Sequence, residues 1–177
     1  MSLSNKLRTL IRDVPDFPKK GIIFKDITPL LKDAEALKAV ADVIANRFSQ
    51  DKIDVVAGIE SRGFIIGAPV AIKLGVGFVP IRKKGKLPYK KIGQEYLLEY
   101  GTDSIEIHED AIAKGERVLV VDDLLATGGT ALATAKLVEK LGGVVVSFAV
   151  IVELGFLNGA EKIVPHNVFS LINYSEP

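Results

Sequence analysis

The sequence predicts an α/β domain whose central, mostly parallel sheet is flanked by helices. Two patterns point to it. Apolar runs rich in β-branched residues recur at 53–59 (IDVVAGI), 75–81 (GVGFVPI), 117–123 (RVLVVDD) and 144–154 (VVVSFAVIVEL). Near-continuous runs of this kind suit strands covered on both faces. Between them, 34–48 and 130–141 place apolar residues three and four apart, the spacing of a helix with one buried face. The segment 63–75, GFIIGAPVAIKLG, is apolar nearly all round and predicts an inner helix. Strand alternating with helix implies right-handed crossovers. In such sheets ligands bind beyond the carboxyl ends of the strands.

The chain of 177 residues suffices for a single domain, and at this size about 70% of the unfolded surface is buried without staples. A net charge of +1 provides no global attraction to nucleic acid or to an anionic membrane, and neither is expected as a partner. The absence of cysteine excludes disulfides, thiolate metal sites and cysteine nucleophiles, and two histidines make a histidine-rich metal site a poor reading. The first twenty residues mix apolar and charged side chains, unlike a signal peptide, and no stretch approaches the ~20 apolar residues of a membrane span. A cytoplasmic protein is expected.

The stretch VLVVDDLLATGGT, 118–130, combines features of opposite electrostatic preference. Its strand VLVV ends at Asp122 and Asp123, and Leu124, Leu125 and Ala126 lead into Thr127, Gly128, Gly129 and Thr130. Glycines allow successive amides to converge on an anion, the threonines add hydroxyls, and the following helix adds its positive dipole end. A phosphate fits there. Two carboxylates beside it repel phosphate but accept hydrogen bonds from vicinal hydroxyls, so a phosphorylated ribose satisfies both halves. The Walker motif that would make this a P-loop enzyme is missing, because the one Gly–Lys pair, Gly85–Lys86, is followed by leucine; a GxGxxG fingerprint is missing too.

Other segments are less specific. IRKKGKLPYKK, 81–91, concentrates six cations without an acid and reads as either a solvated loop or an anion clamp. GIESRGF, 58–64, places Ser61 and Arg62 at the start of a helix, either as a cap or as an anion contact. GQEYLLEYGTDSIEIHED, 93–110, reads as two extended segments around a turn at Gly101–Thr102–Asp103, with Tyr96, Glu99 and Tyr100 near its start.

The 118–130 stretch resembles the phosphoribosyl-pyrophosphate motif of the type I phosphoribosyltransferases. From DFPKKGIIFKDITPLLKD (16–33) through VELGFLNGAEKI (152–163) the chain is similar to the adenine-using members of that family. The resemblance implies their fold, one domain over 1–177, with about residues 1–33 forming a hood over the base site and a flexible lid hairpin. It implies purine salvage: transfer of the phosphoribosyl group of phosphoribosyl pyrophosphate to adenine, with magnesium (held through substrate and water rather than by side chains) and a homodimer. Asp122 to Thr130 would bind the phosphoribosyl group. Ser61, Arg62, Arg82, Lys83, Lys86 and Tyr100 would contact pyrophosphate, those of the basic loop either in their own subunit or in a neighbouring one. Glu99 would handle the purine proton, with Asp122 and Asp123 as its catalytic companions. The backbone at Ile23, the ring of Phe24, Lys25, and Phe156 or Leu157 would form the adenine pocket. Family members carry arginine where this chain has Lys25, and lysine lacks the planar fork, which bears on base affinity and on the strictness of base choice. The sugar motif alone leaves open a transferase for hypoxanthine, guanine, xanthine or orotate, or a non-catalytic sensor of phosphoribosyl pyrophosphate.

Overall fold

The computed structural model describes residues 3–97 and 101–176. In chain order the elements are α1 (Leu3–Arg8), β1 (Arg12–Pro15), β2 (Ile23–Asp26), α2 (Thr28–Lys32), α3 (Ala34–Phe48), β3 (Val55–Ile59), α4 (Arg62–Leu74) and β4 (Gly77–Lys83). They continue with β5 (Lys91–Leu97), β6 (Thr102–His108), β7 (Arg117–Leu125), α5 (Gly129–Lys140), β8 (Val144–Leu154), a single 3₁₀ turn (Gly155–Leu157), α6 (Gly159–Lys162) and β9 (Val168–Tyr174).

Seven of the described strands form one sheet in the order β5–β6–β4–β3–β7–β8–β9. From β4 to β9 neighbours are parallel, while β6 runs antiparallel to both β4 and β5. The expected mostly parallel α/β architecture is therefore present. β7 shows why its run is apolar at every position. Val118 and Val120 enter the core shared with α5, whereas Leu119 and Val121 enter the opposite core under α3 and α4. A strand buried on both faces has no room for alternation.

The helix read at 34–48 spans those residues, and Asp33 caps it by accepting from the Ala36 amide at 2.9 Å. α4 departs from the expected inner helix. Gly63, Ile66, Gly67, Val70 and Ala71 face the sheet, but Ile65 and Ile72 remain 45% and 79% exposed. The helix lies in the outer layer over β3 and β7 with α3 on its flank, so among the described residues no element covers one apolar stripe. Among the described residues no helix is long and apolar enough to cross a membrane.

The N-terminal segment stands apart from the sheet as an antiparallel ribbon, β1 with β2, that pairs Asp13 with Lys25 and Val14 with Phe24. Leu7, Ile27 and Leu30 on either side of it are fully buried in the α3–α4 core. Asp26 closes the ribbon onto α2, accepting from the Thr28 amide at 2.9 Å and from its hydroxyl at 2.8 Å. The Thr28 amide is the main reason the Asp26 carboxyl stays below its ordinary range.

Candidate active site

A cavity of about 640 Å³ opens at the carboxyl ends of β3, β7 and β8, the position the topology favours for a ligand. Asp122 to Ala131 line its floor, and Glu60, Ser61 and Arg62 line one wall. Lys83, Tyr96 and Asp103 face them, over a lining that includes Ile59, Ile105, Phe148 and Val150. Nine consecutive predicted residues, Asp122 to Thr130, are thus brought to one surface.

β7 runs two residues farther than its sequence suggests, through Asp122 and Asp123 to Leu125, because β8 continues to pair with it at Leu124 and Leu125. The turn is confined to Ala126–Gly128, with Gly128 at φ 79° as the N-cap of α5. A side chain here would be strained in φ and would also collide, since a Cβ on Gly128 would lie 2.4 Å from the Gly159 carbonyl oxygen. The reciprocal contact is tighter: a Cβ on Gly159 would lie 2.1 Å from the Ala126 oxygen. Two backbones meet without side chains between them, and the turn and the start of α5 line the cavity, where the first amides of a helix are available as donors.

The acid pair is electrostatically strained. Asp123 is buried and bonded by Arg62 Nε at 2.5 Å, while its own amide donates to Asp122 Oδ1 at 2.8 Å. Desolvation of the Asp122 carboxyl pushes it well above the ordinary carboxylate range, and the adjacent Asp123 charge adds to the effect. Among the described residues Asp123 has a bonded cation, Arg62, and Asp122 has none. A ligand that donates hydroxyl protons, or carries positive charge, relieves this arrangement.

Of the predicted anion contacts, Ser61, Arg62 and Lys83 line the cavity. Lys83 Nζ lies 3.6 Å from Asp103 and is well exposed. Arg82 and Lys86 do not line it. Arg82 instead binds Glu60 at 3.2 Å and the Lys86 carbonyl at 3.1 Å, bracing the basic loop. Glu60 also accepts from the Lys83 amide at 2.9 Å. Burial opposes its charge, but that amide together with Arg82 outweighs burial, so Glu60 titrates below its usual range.

The residues predicted for a base site do not line this cavity. Phe24 meets Phe17 edge-on at 5.2 Å between centroids, and the Arg62 guanidinium lies 5.4 Å from its ring. Arg62 therefore bridges the ribbon and the acid pair. Ile23 is 40% exposed beside it. Phe156 and Leu157 belong to the 3₁₀ turn that leads through Asn158 to Gly159, against the phosphate-type turn. Lys25 departs from the expected base contact. It is 5% exposed, with Nζ 2.9 Å from Asp13 and 4.4 Å from the centroid of Tyr174. Strand alternation explains this, since Lys25 and Phe24 are neighbours on β2 and must project to opposite faces.

β5 and β6 form the expected hairpin, but Thr102 and Asp103 belong to β6, paired with Leu97 and Tyr96, and not to the turn. Glu99 and Tyr100 lie outside the described residues. Tyr96, not assigned a role from sequence, reaches the cavity and donates to Asp103 at 3.3 Å. Burial raises its phenol above the ordinary range, against the opposing bond with Thr130 and with help from Asp103 and Asp122. Glu60, Asp103 and Gly159 were also unassigned. Their signals are single residues of common types, made significant only by distant partners.

The phosphoribosyl transferase domain model matches residues 27–175. An adenine phosphoribosyltransferase of Alkaliphilus metalliredigens is 58% identical over 174 residues, covering 98% of this chain and all of that one. The crystal structure of the adenine phosphoribosyltransferase from Thermoanaerobacter pseudethanolicus superposes with a TM-score of 0.94 at 54% identity, covering 97% of this chain and 99% of that one. The Giardia lamblia APRTase complexed with 9-deazaadenine gives 0.92 at 40% identity, covering 98% of each chain. With its cavity placed where the sheet topology puts a ligand and its likeness running nearly end to end, the chain belongs to the phosphoribosyltransferase family, among the adenine phosphoribosyltransferases.

Proposed function

We propose that this chain catalyses purine salvage by transferring the 5-phosphoribosyl group of phosphoribosyl pyrophosphate to adenine, with AMP and pyrophosphate as products. The observation that carries the reading is the shared cavity of Asp122, Asp123 and the 126–130 turn, with Arg62 and Lys83 on its walls. The turn amides and the hydroxyls of Thr127 and Thr130 hold the 5′-phosphate. Asp122 and Asp123 accept from the ribose hydroxyls, and Ser61, Arg62 and Lys83 receive pyrophosphate. Arg82, bound to Glu60, keeps Lys83 in place at the end of β4.

The C1′–oxygen bond breaks toward pyrophosphate, which takes the bonding electrons, and the sugar gains oxocarbenium character. Adenine N9 supplies the electron pair of the new bond from the opposite face, and Glu99 accepts the proton N9 must lose. Asp122 is poised for the intermediate charge: its carboxylate is disfavoured in the free cavity, and a cationic ribosyl centre relieves that cost in the transition state. Adenine stacks on Phe24 once Arg62 turns to pyrophosphate, with the residue 1–33 segment as a hood and Phe156 or Leu157 on the far side.

Among the described residues no three His, Asp or Glu cluster to hold a metal unaided; magnesium would be held by substrate oxygens and water, and the hard carboxylate oxygens that line the cavity suit its water shell as acceptors. When bound, magnesium supplies charge neutralisation of the leaving pyrophosphate. Homodimerisation accompanies this reading and accords with the exposed Ile65 and Ile72 stripe; a cytoplasmic location is proposed with it.

The test mixes protein, magnesium, phosphoribosyl pyrophosphate and one base at a time from a panel, and follows pyrophosphate release. Turnover with adenine alone is expected. Turnover with hypoxanthine or guanine in its place would contradict the base assignment, and binding of phosphoribosyl pyrophosphate without turnover would point to a sensor.

A further inference from the structure

Lys25 presents a puzzle: a buried lysine one residue from the proposed base-stacking ring, with its charge turned away from the site. A lysine is rarely buried unless its ammonium has partners. Here it has two. Its cross-strand register mate Asp13 lies at 2.9 Å, and the Tyr174 ring, the last residue of β9, lies at 4.4 Å. Arg8 stands 4.3 Å from the same ring and donates from Nη2 to the Asn173 carbonyl at 2.8 Å. Ser4 donates to the Leu171 carbonyl at 3.0 Å. Thus α1, β2 and β9, the two ends of the chain, are fastened together around one aromatic ring.

The β1–β2 ribbon needs such a fastening. Each strand has four residues, and an isolated two-stranded ribbon is marginal in water. Its two faces meet different neighbours: Lys25 faces Tyr174, and Phe24 faces Phe17 and Arg62. The strand carrying Phe24 is therefore held from behind by an ion pair and a cation–π contact.

We propose that Lys25 is a positioning residue of the base site: its buried ammonium, between Asp13 and Tyr174, fixes the ribbon against β9 and so sets where Phe24 stands. Tyr174 shares the role, and neither side chain touches the base. This rests on the proposed adenine reaction.

The test is steady-state kinetics of three variants with each substrate varied in turn. Lys25→Met, which keeps length and loses charge, raises the adenine KM about tenfold, with kcat and the KM for phosphoribosyl pyrophosphate nearly unchanged. Lys25→Arg, which restores both contacts, brings the adenine KM back to near wild type. Tyr174→Leu leaves the Lys25–Asp13 pair in place and reproduces part of the rise, which keeps the test readable if Lys25→Met folds poorly. An unchanged adenine KM in Tyr174→Leu, an equal rise in both KM values, or no rescue by arginine would overturn the proposal. A wild-type protein that turned over no base would overturn the functional reading, and the positioning role with it.

Discussion

The floor of the cavity and the N-terminal ribbon are built on different principles. Residues 122–130 extend from β7, which pairs with β3 over Val118–Val121 and with β8 as far as Leu125, into a turn pressed against Gly159. Main-chain geometry defines that surface. The ribbon has two four-residue strands, and Phe17, Ile22 and Ile23 are 51%, 38% and 40% exposed. Side-chain contacts from Lys25 and the buried Ile27 and Leu30 hold it in place. A backbone-defined site tolerates little change, whereas a tethered one can be loosened by degrees.

Gly159→Val should therefore have the largest effect of any single change. With a Cβ 2.1 Å from the Ala126 oxygen, the turn must move; activity should fall by more than about 100-fold and stability by roughly 2–4 kcal/mol, seen in kinetics and thermal unfolding. Near-wild-type activity would mean the cradle is adaptable after all.

Asp122→Asn should lower kcat by roughly 100-fold while raising the melting temperature at neutral pH. The sign follows from linkage. A carboxyl whose folded pKa is raised binds its proton more tightly when folded, so it costs stability as pH rises above the unfolded value of 3.8. The stability gain of the variant should thus shrink in acid, where Asp122 is protonated in both states. A variant less stable than wild type at pH 7 would contradict the desolvation account.

Phe24→Ala addresses the ribbon. It should raise the adenine KM about tenfold or more, the equivalent of ~1–3 kcal/mol of stacking, and leave binding of phosphoribosyl pyrophosphate unchanged in calorimetry. Loss of both affinities would mean that the two regions are not separable.

The smallest effect is expected at Asp26. Asp26→Ala removes the bonds to Thr28 at 2.9 and 2.8 Å and should cost about 1 kcal/mol. Because its folded pKa is lowered, that contribution is present above the unfolded value of 3.8 and is lost as pH falls through the folded one. Thermal unfolding at pH 7 and pH 2 should show the difference narrowing in acid.

The same contrast explains what could be read from the sequence. The parallel strands and the 34–48 helix were legible because burial on one face or two imposes a period on the chain. That Asp122 to Thr130 share one surface was legible because consecutive residues lead from a strand end through a glycine turn into a helix. Gly159 and Asp103 were not, since their roles come from partners far away in sequence, Ala126 and Lys83. The exposed face of α4 was illegible because an apolar helix looks the same whether its outer stripe meets a layer or not. Lys25 misled for a related reason: its neighbour Phe24 faces the site, and a one-residue step along a strand reverses direction.

The central claim is that Asp122 and Asp123 grip ribose hydroxyls while the neighbouring turn grips phosphate. Calorimetry with ribose 5-phosphate and 2-deoxyribose 5-phosphate separates the two. The wild-type protein should bind the ribose compound about tenfold tighter, the worth of one charge-assisted hydrogen bond, and in an Asp122→Asn, Asp123→Asn double variant the two should bind alike through the phosphate. Equal affinity of the wild-type protein for both sugars would contradict the account.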